Sequence, residues 1–260
     1  PTGSGKTTTL YAFLHHVYNE EVKIITIEDP IEYHLEGLTQ TQVEEEKGYT
    51  FVAGLRAALR QDPDVIMVGE IRDEDTAKVA INAALTGHVV FSTLHTNNAA
   101  GTIPRLLDLG INGKVLAGAL ALSIAQRLVR KLCDECKAPY ESNEKESRVI
   151  TNILGDMKTS GKEESMGGHL PITSYTLYHA PGCLACSMTG YKGRIGIFEG
   201  IAMNQEVEAA LMINPSEREV RKAAKSQKIP SLREDAIMKM LGGLTSFDEI
   251  SRIVDLYGDE

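Results

Sequence analysis

Apolar positions fall into two kinds of run along the first half of the chain. Val22-Lys23-Ile24-Ile25-Thr26-Ile27, Asp64-Val65-Ile66-Met67-Val68 and Val89-Val90-Phe91-Ser92-Thr93-Leu94 are short and rich in β-branched residues, as buried strands are. Between them, residues 51–60 and 74–85 carry apolar side chains at helical spacing, and an apolar, helix-favouring run covers residues 9–17. Strands and helices in alternation predict βαβ units and a parallel sheet, in which chemistry collects at the carboxyl ends of the strands. Each run ends there in polar residues: Glu28-Asp29, then Gly69-Glu70, then His95.

The second half reads differently. Residues 148–154 predict a short amphipathic helix, and residues 158–169, rich in Gly, Ser and charge, predict a mobile loop. The whole insertion, residues 141–181, reads equally as a docking lobe or as passive decoration. Residues 189–199 read as a loop entering a strand. Ser216 with Glu219, Ser231 with Glu234 and Ser246 with Glu249 are S-x-x-E capping boxes that open successive helices. The chain is therefore expected to end in a small helical region, either packing against a neighbour and relaying its state or simply capping the domain.

Composition changes this picture little. A chain of 260 residues with 42% hydrophobic content buries a full core, in one large domain and a smaller one. The net charge of −9 argues against a mainly nucleic-acid-binding surface, which carries a basic stripe. The longest nearly uncharged stretch, residues 115–125, falls well short of the ~20 needed to span a bilayer, and no signal peptide is visible. Any membrane association is expected to go through a partner.

The first residues carry the sharpest chemical signal. Pro1-Thr2-Gly3-Ser4-Gly5-Lys6-Thr7 matches G-x-x-x-x-G-K-[ST] apart from its first glycine, and the apolar helix follows directly. In such a loop the glycines turn backbone N–H groups toward phosphate, the lysine reaches the β- and γ-phosphates, and the next hydroxyl holds Mg²⁺. Gly3 and Gly5 are assigned to the cradle with Thr2, Ser4 and Thr8 beside them, Lys6 to phosphate charge and Thr7 to magnesium. The strand that should feed the loop is missing, so the chain is expected to be a piece of something longer.

Three further motifs follow in order: Ile27-Glu28-Asp29-Pro30-Ile31-Glu32-Tyr33, then the run from Leu55 through Asp62-Pro63-Asp64 to Val68-Gly69-Glu70-Ile71-Arg72-Asp73, then Thr86-Gly87-His88 through Leu94-His95-Thr96-Asn97. With the phosphate loop they resemble the Asp box, Walker B and His box of the type II secretion and type IV pilus assembly ATPases, and the resemblance covers nearly the whole chain. It implies an α/β P-loop NTPase (RecA-like) core with a parallel-rich sheet, hydrolysis of ATP with Mg²⁺, and a ring, expected to be a hexamer. It further implies pilus or pseudopilus assembly at the cytoplasmic face of the inner membrane, through a platform protein and other machinery components.

ATP hydrolysis needs a carboxylate to orient water and donors for the charge that develops in the transition state. By resemblance Glu70 positions the water and Glu28 assists it or holds the metal shell, while Asp29 reads equally as a loop-structuring residue. Gly69 stands where a Walker B motif usually ends in aspartate, which leaves open which carboxylate does the metal work. His88 and His95 bracket one strand, more than roughly 20 Å apart if it is straight, so both cannot touch one phosphate. His95, at the carboxyl end, is the better γ-phosphate sensor and His88 is better read as structural. Arg56 and Arg60, four apart, share a helix face and are secondary candidates that read equally as a solvated pair.

Cys133, Cys136, Cys183 and Cys186 form two C-x-x-C pairs with no cysteine left over. Four thiolates suit tetrahedral structural zinc. Disulfides and a redox pair compete, the first disfavoured by the reducing compartment of a nucleotide-hydrolysing protein, and the separation of the pairs exceeds the common ~15–20 residues. The resemblance favours zinc, since the assembly ATPases carry such an element and the retraction branch lacks it. The expected division is an ATPase core over residues 1–132, a zinc lobe over 133–188 and a mainly helical region over 189–260. Two other classes stay in view: an inactive scaffold of the same fold, separated by Mg²⁺-dependent phosphate release, and a zinc-dependent nucleic-acid-binding module, separated by salt-sensitive DNA retention.

Overall fold

The computed structural model describes residues 3–169 and 172–257. The chain divides into two compact units, one built mainly from Gly5–Ser123 with Ala202–Ala223, the other mainly from Ile124–Ile201 with Ala224–Glu260. In chain order the elements are α1 (Lys6–Val17), β1 (Ile24–Glu28), β2 (Thr39–Gln42), α2 (Phe51–Leu59), β3 (Val65–Val68), α3 (Glu74–Leu85), β4 (Val89–Ser92), α4 (Thr102–Asp108), α5 (Gly113–Ala119) and β5 (Leu122–Leu132). There follow β6 (Ala138–Glu141), α6 (Glu144–Thr159), β7 (Thr176–His179), β8 (Tyr191–Ala202), α7 (Gln205–Ile213), α8 (Glu217–Ala224), α9 (Leu232–Leu241) and α10 (Phe247–Ile253).

In the first unit four strands form a parallel sheet in the order β2-β1-β3-β4. Every residue of β1 and β3 is buried, as expected of central parallel strands covered on both faces. Register sets the rim: Ile27 pairs with Val68 and Val68 with Ser92, so Glu28, Gly69 and Thr93 come level at the carboxyl end. The strand β2, Thr-Gln-Thr-Gln, has no apolar run and was not expected. It holds an edge position because its backbone pairs with β1 and the Thr41 hydroxyl donates to the Thr26 carbonyl at 2.8 Å. Helices α2 and α3 start where Thr50 and Asp73 accept from the backbone N–H three residues on, at 3.2 and 2.8 Å.

The second unit closes around one hydrophobic core that takes Val129, Ile150, Ile153, Leu154, Met157, Leu177, Ile197, Ile237, Met240 and Ile250. The expected border at residues 188/189 therefore runs through a shared core. The predicted short helix is α6, 16 residues long, opened by a capping box of Asn143 and Glu146. The predicted mobile loop, residues 158–169, is instead anchored at two points, with exposed residues between them. Met166 is buried, and Lys162 pairs with Glu234 at 2.6 Å, with side chains only 10% and 4% exposed.

Of the three Ser-x-x-Glu starts, Ser231 with Glu234 forms the reciprocal box. Ser246 caps α10, but the Glu249 carboxylate turns away to Arg130, accepting from its backbone N–H at 2.9 Å and its Nε at 2.8 Å. At Ser216 the hydroxyl accepts from the Glu219 N–H at 3.4 Å, the distance also found between Ser231 and Glu234.

Candidate active site and four-cysteine cluster

Gly3 and Gly5 both adopt the left-handed conformation, with φ of 74° and 87°, which side chains disfavour. Gly5 is the N-cap of α1, so the chain swings straight into the helix at Lys6, with Thr7 and Thr8 in its first turn. That turn holds no acidic residue to occupy the positive end of the helix dipole. Among the described residues the hydroxyls of Ser4 and Ser92 are buried without a hydrogen-bond partner. A helix N-terminus entered through left-handed glycines, with a lysine in its first turn, fits a phosphate. Thr2 lies outside the described residues.

At the end of β3, Glu70 meets Arg72 and His95: the Arg72 guanidinium donates to one carboxylate oxygen and His95 Nε2 lies 3.0 Å from the other. Burial pushes the Glu70 carboxyl up, but the bonds from Arg72 and His95 outweigh it and hold the group below the usual carboxylate range. The Glu70 side chain is only 13% exposed, while those of Arg72 and His95 are more than half exposed. The result is a fixed anion at the rim, oriented by two cationic or donor groups that themselves face solvent.

Glu28 has a different setting. It is 2% exposed and turned inward, where the hydroxyl of Tyr11 donates to Oε2, and the Thr26 hydroxyl and the Gln40 amide donate to Oε1 at 2.6 and 3.0 Å. Asp29, next in sequence, is exposed ahead of a cis peptide to Pro30. The sheet thus separates two carboxylates read together from sequence, Glu70 at the partly open rim and Glu28 within a neutral, buried network. Tyr11, Thr26 and Gln40 escaped sequence reading, although Tyr11 stands one helical turn from Thr7.

The two histidines part company as well. His88 Nδ1 lies 2.9 Å from the Ala83 carbonyl and 3.2 Å from the Thr86 hydroxyl, at the carboxyl end of α3 and the entry to β4. His95 follows the far end of β4 and reaches Glu70. Arg56 and Arg60 are exposed at α2, and among the described residues neither forms an ion pair.

In the second unit the sulfurs of Cys133, Cys136, Cys183 and Cys186 all lie within 4.8 Å of one another. Cys133 to Cys183 and Cys136 to Cys186 are 3.9 Å apart, and Cys183 to Cys186 is 3.7 Å. Tetrahedral metal with bonds of about 2.3 Å requires sulfurs roughly 3.8 Å apart, whereas disulfides require about 2.05 Å. All four are free thiols, so the donor set fits a metal of zinc type. Burial works against ionising Cys186, but backbone N–H groups of Cys183 and Gly190, each 3.1 Å from its sulfur, draw it down to about 6.

A helix entered through left-handed glycines beside a parallel sheet rimmed with acid and histidine belongs to the P-loop class of nucleotide-binding α/β domains. Within that class, the chain belongs to the Type II/IV secretion system protein family, whose model matches residues 1–252. It is 46% identical over 253 residues to a Type II secretion system protein E of Pseudomonas aeruginosa, covering 97% of this chain and 47% of that protein. It is 40% identical over 250 residues to the Type IV pilus assembly ATPase PilB of Myxococcus xanthus, covering 96% and 42%. The pilus retraction motor PilT, solved with bound ADP, superposes with a TM-score of 0.64 at 26% identity over 100% of this chain and 60% of its own. The chain thus spans about half the length of the curated relatives it matches. No helix among the described residues is long and apolar enough to cross a membrane.

Proposed function

We propose that the chain hydrolyses ATP to ADP and phosphate, and that this reaction drives assembly of type IV pilus or type II secretion pseudopilus subunits. The observation that carries the reading is Glu70, held as an anion by Arg72 and His95 at the rim of the sheet whose P-loop helix begins at Lys6. Water attacks the γ-phosphorus as the bond to the bridging oxygen breaks. Glu70 accepts a hydrogen bond from that water and aligns it, and the proton leaves with the phosphate. Lys6 with the N–H groups of the first turn balances phosphate charge, and His95 reports on the γ-phosphate. Thr7 would hold Mg²⁺, which neutralises charge on the β- and γ-oxygens.

Cys133, Cys136, Cys183 and Cys186 hold one structural Zn²⁺, with no coordination position left for catalysis. The working assembly is a ring, six copies by analogy with relatives, docked through a platform protein at the cytoplasmic face of the inner membrane. The names of the relatives, with the match over nearly the whole chain, support the ATPase and the secretion or pilus-assembly part of this reading. Nucleotide binding and phosphate release on two variants test it. Lys6→Ala should weaken binding and abolish turnover, whereas Glu70→Gln should retain ATP and slow hydrolysis by about 100-fold or more. Wild-type turnover in Glu70→Gln would remove Glu70 from the role.

A further inference from the structure

Glu28 is the most deeply buried carboxylate at the sheet rim, and among the described residues its three side-chain hydrogen bonds come from neutral donors. A carboxyl group so placed needs its oxygens engaged, because an unmet bond in the interior leaves the desolvation cost uncompensated. The donors come from three elements. Thr26 is two residues back on β1, Gln40 is on the edge strand β2, and Tyr11 is on the P-loop helix α1.

The contribution from α1 has a consequence for chemistry. Tyr11 follows Thr7 by four residues, so the two occupy one face of α1 about 6 Å apart along its axis. Tyr11 thus grips the Glu28 carboxyl group from a position one turn along α1 from the magnesium-assigned Thr7. Tyr11 is itself 1% exposed, and burial together with the Glu28 carboxylate holds its phenol well above the ordinary range, so the hydroxyl remains a donor at every working pH. On the opposite side Gln40 holds Glu28 and also accepts from Leu35 N–H at 2.6 Å, while the Tyr33 ring meets Tyr11 edge-on at 4.7 Å. Glu28 is thus clamped between the P-loop helix and the segment that follows β1.

We propose that Tyr11 is a positioning residue for ATP hydrolysis, its hydroxyl tying Glu28 to the helix that binds the phosphates, one turn from Thr7. The inference rests on the ATPase reading above. Tyr11→Phe keeps the ring and removes only the donor, and its kinetics in the intact, assembled protein test the idea. The expected result is a fall in kcat of about 10-fold, the loss of one buried hydrogen bond, with KM for ATP within about twofold. Glu28→Gln should also slow turnover, and the double variant should be no slower than the slower single one, because the two residues act as one unit.

A role confined to packing would lower the melting temperature and leave kcat per folded protein unchanged. Should Tyr11→Phe not fold, Gln40→Leu probes the same carboxylate from its other oxygen, with the same split between kcat and KM expected. Wild-type kcat in the folded variant, or losses that multiply in the double variant, would overturn the inference while leaving the ATPase reading intact. Absence of turnover in the wild type, with phosphate release no greater than in Lys6→Ala, would instead remove the ATPase reading and this inference with it.

Discussion

The zinc proposed for the four-cysteine cluster would be a long-range tie in the second unit, which a chelator or Cys136→Ser should cut. Cys133 and Cys183, like Cys136 and Cys186, stand 50 residues apart in the chain while their sulfurs are 3.9 Å apart. Closing a loop of that length costs the unfolded chain about 4 kcal/mol at 25 °C on the chain-entropy estimate, so a metal cross-link stabilises the folded unit by about that amount. Domains are stable by only about 5–15 kcal/mol, which makes this a large share. For a unit of this size about 4 °C is lost per kcal/mol, so the melting temperature should fall by about 15 °C. Thermal unfolding followed by circular dichroism, with and without chelator, reads this directly, and elemental analysis of untreated protein should find about one zinc per chain. Melting within about 2 °C of the untreated protein after chelation, or two disulfides found by mass spectrometry, would refute the reasoning.

Lys162→Met should destabilise the second unit by about 3 kcal/mol in urea unfolding, because it leaves the buried Glu234 carboxylate without its cation. An unchanged midpoint would show that residues 158–169 are not docked as described. Glu70 gives a pH signature. Its folded-state pKa is depressed below the unfolded one, so its contribution to stability is complete above the unfolded value of about 4.3 and is lost as pH falls through the folded value. Glu70→Gln should therefore lose less stability than wild type on acidification below about pH 4.5. Parallel acid profiles of the two proteins would contradict that assignment.

Much of the site was legible locally. Glycines in a phosphate-loop pattern announce left-handed turns, β-branched runs announce buried strands, and paired C-x-x-C turns announce a thiolate cluster; Gly5, β1, β3 and the four cysteines bear those signals out. The polarity of a parallel sheet also separated His95, beyond the carboxyl end of β4, from His88 at its entry. Tertiary structure alone decided the rest. Strand β2 carries no apolar run, and it is a strand because β1 presents backbone groups that must be paired. Glu249 looks like half of a capping box, yet Arg130 takes its carboxylate because β5 passes beside α10. Glu28 and Glu70 look alike at strand ends, and only packing buries one against Tyr11 and leaves the other at the rim with Arg72 and His95. Local periodicity and turn chemistry act over a few residues and are written in order along the chain. The partner of a buried polar group is fixed by which distant segments pack together, and that depends on the sheet order and register of the whole molecule.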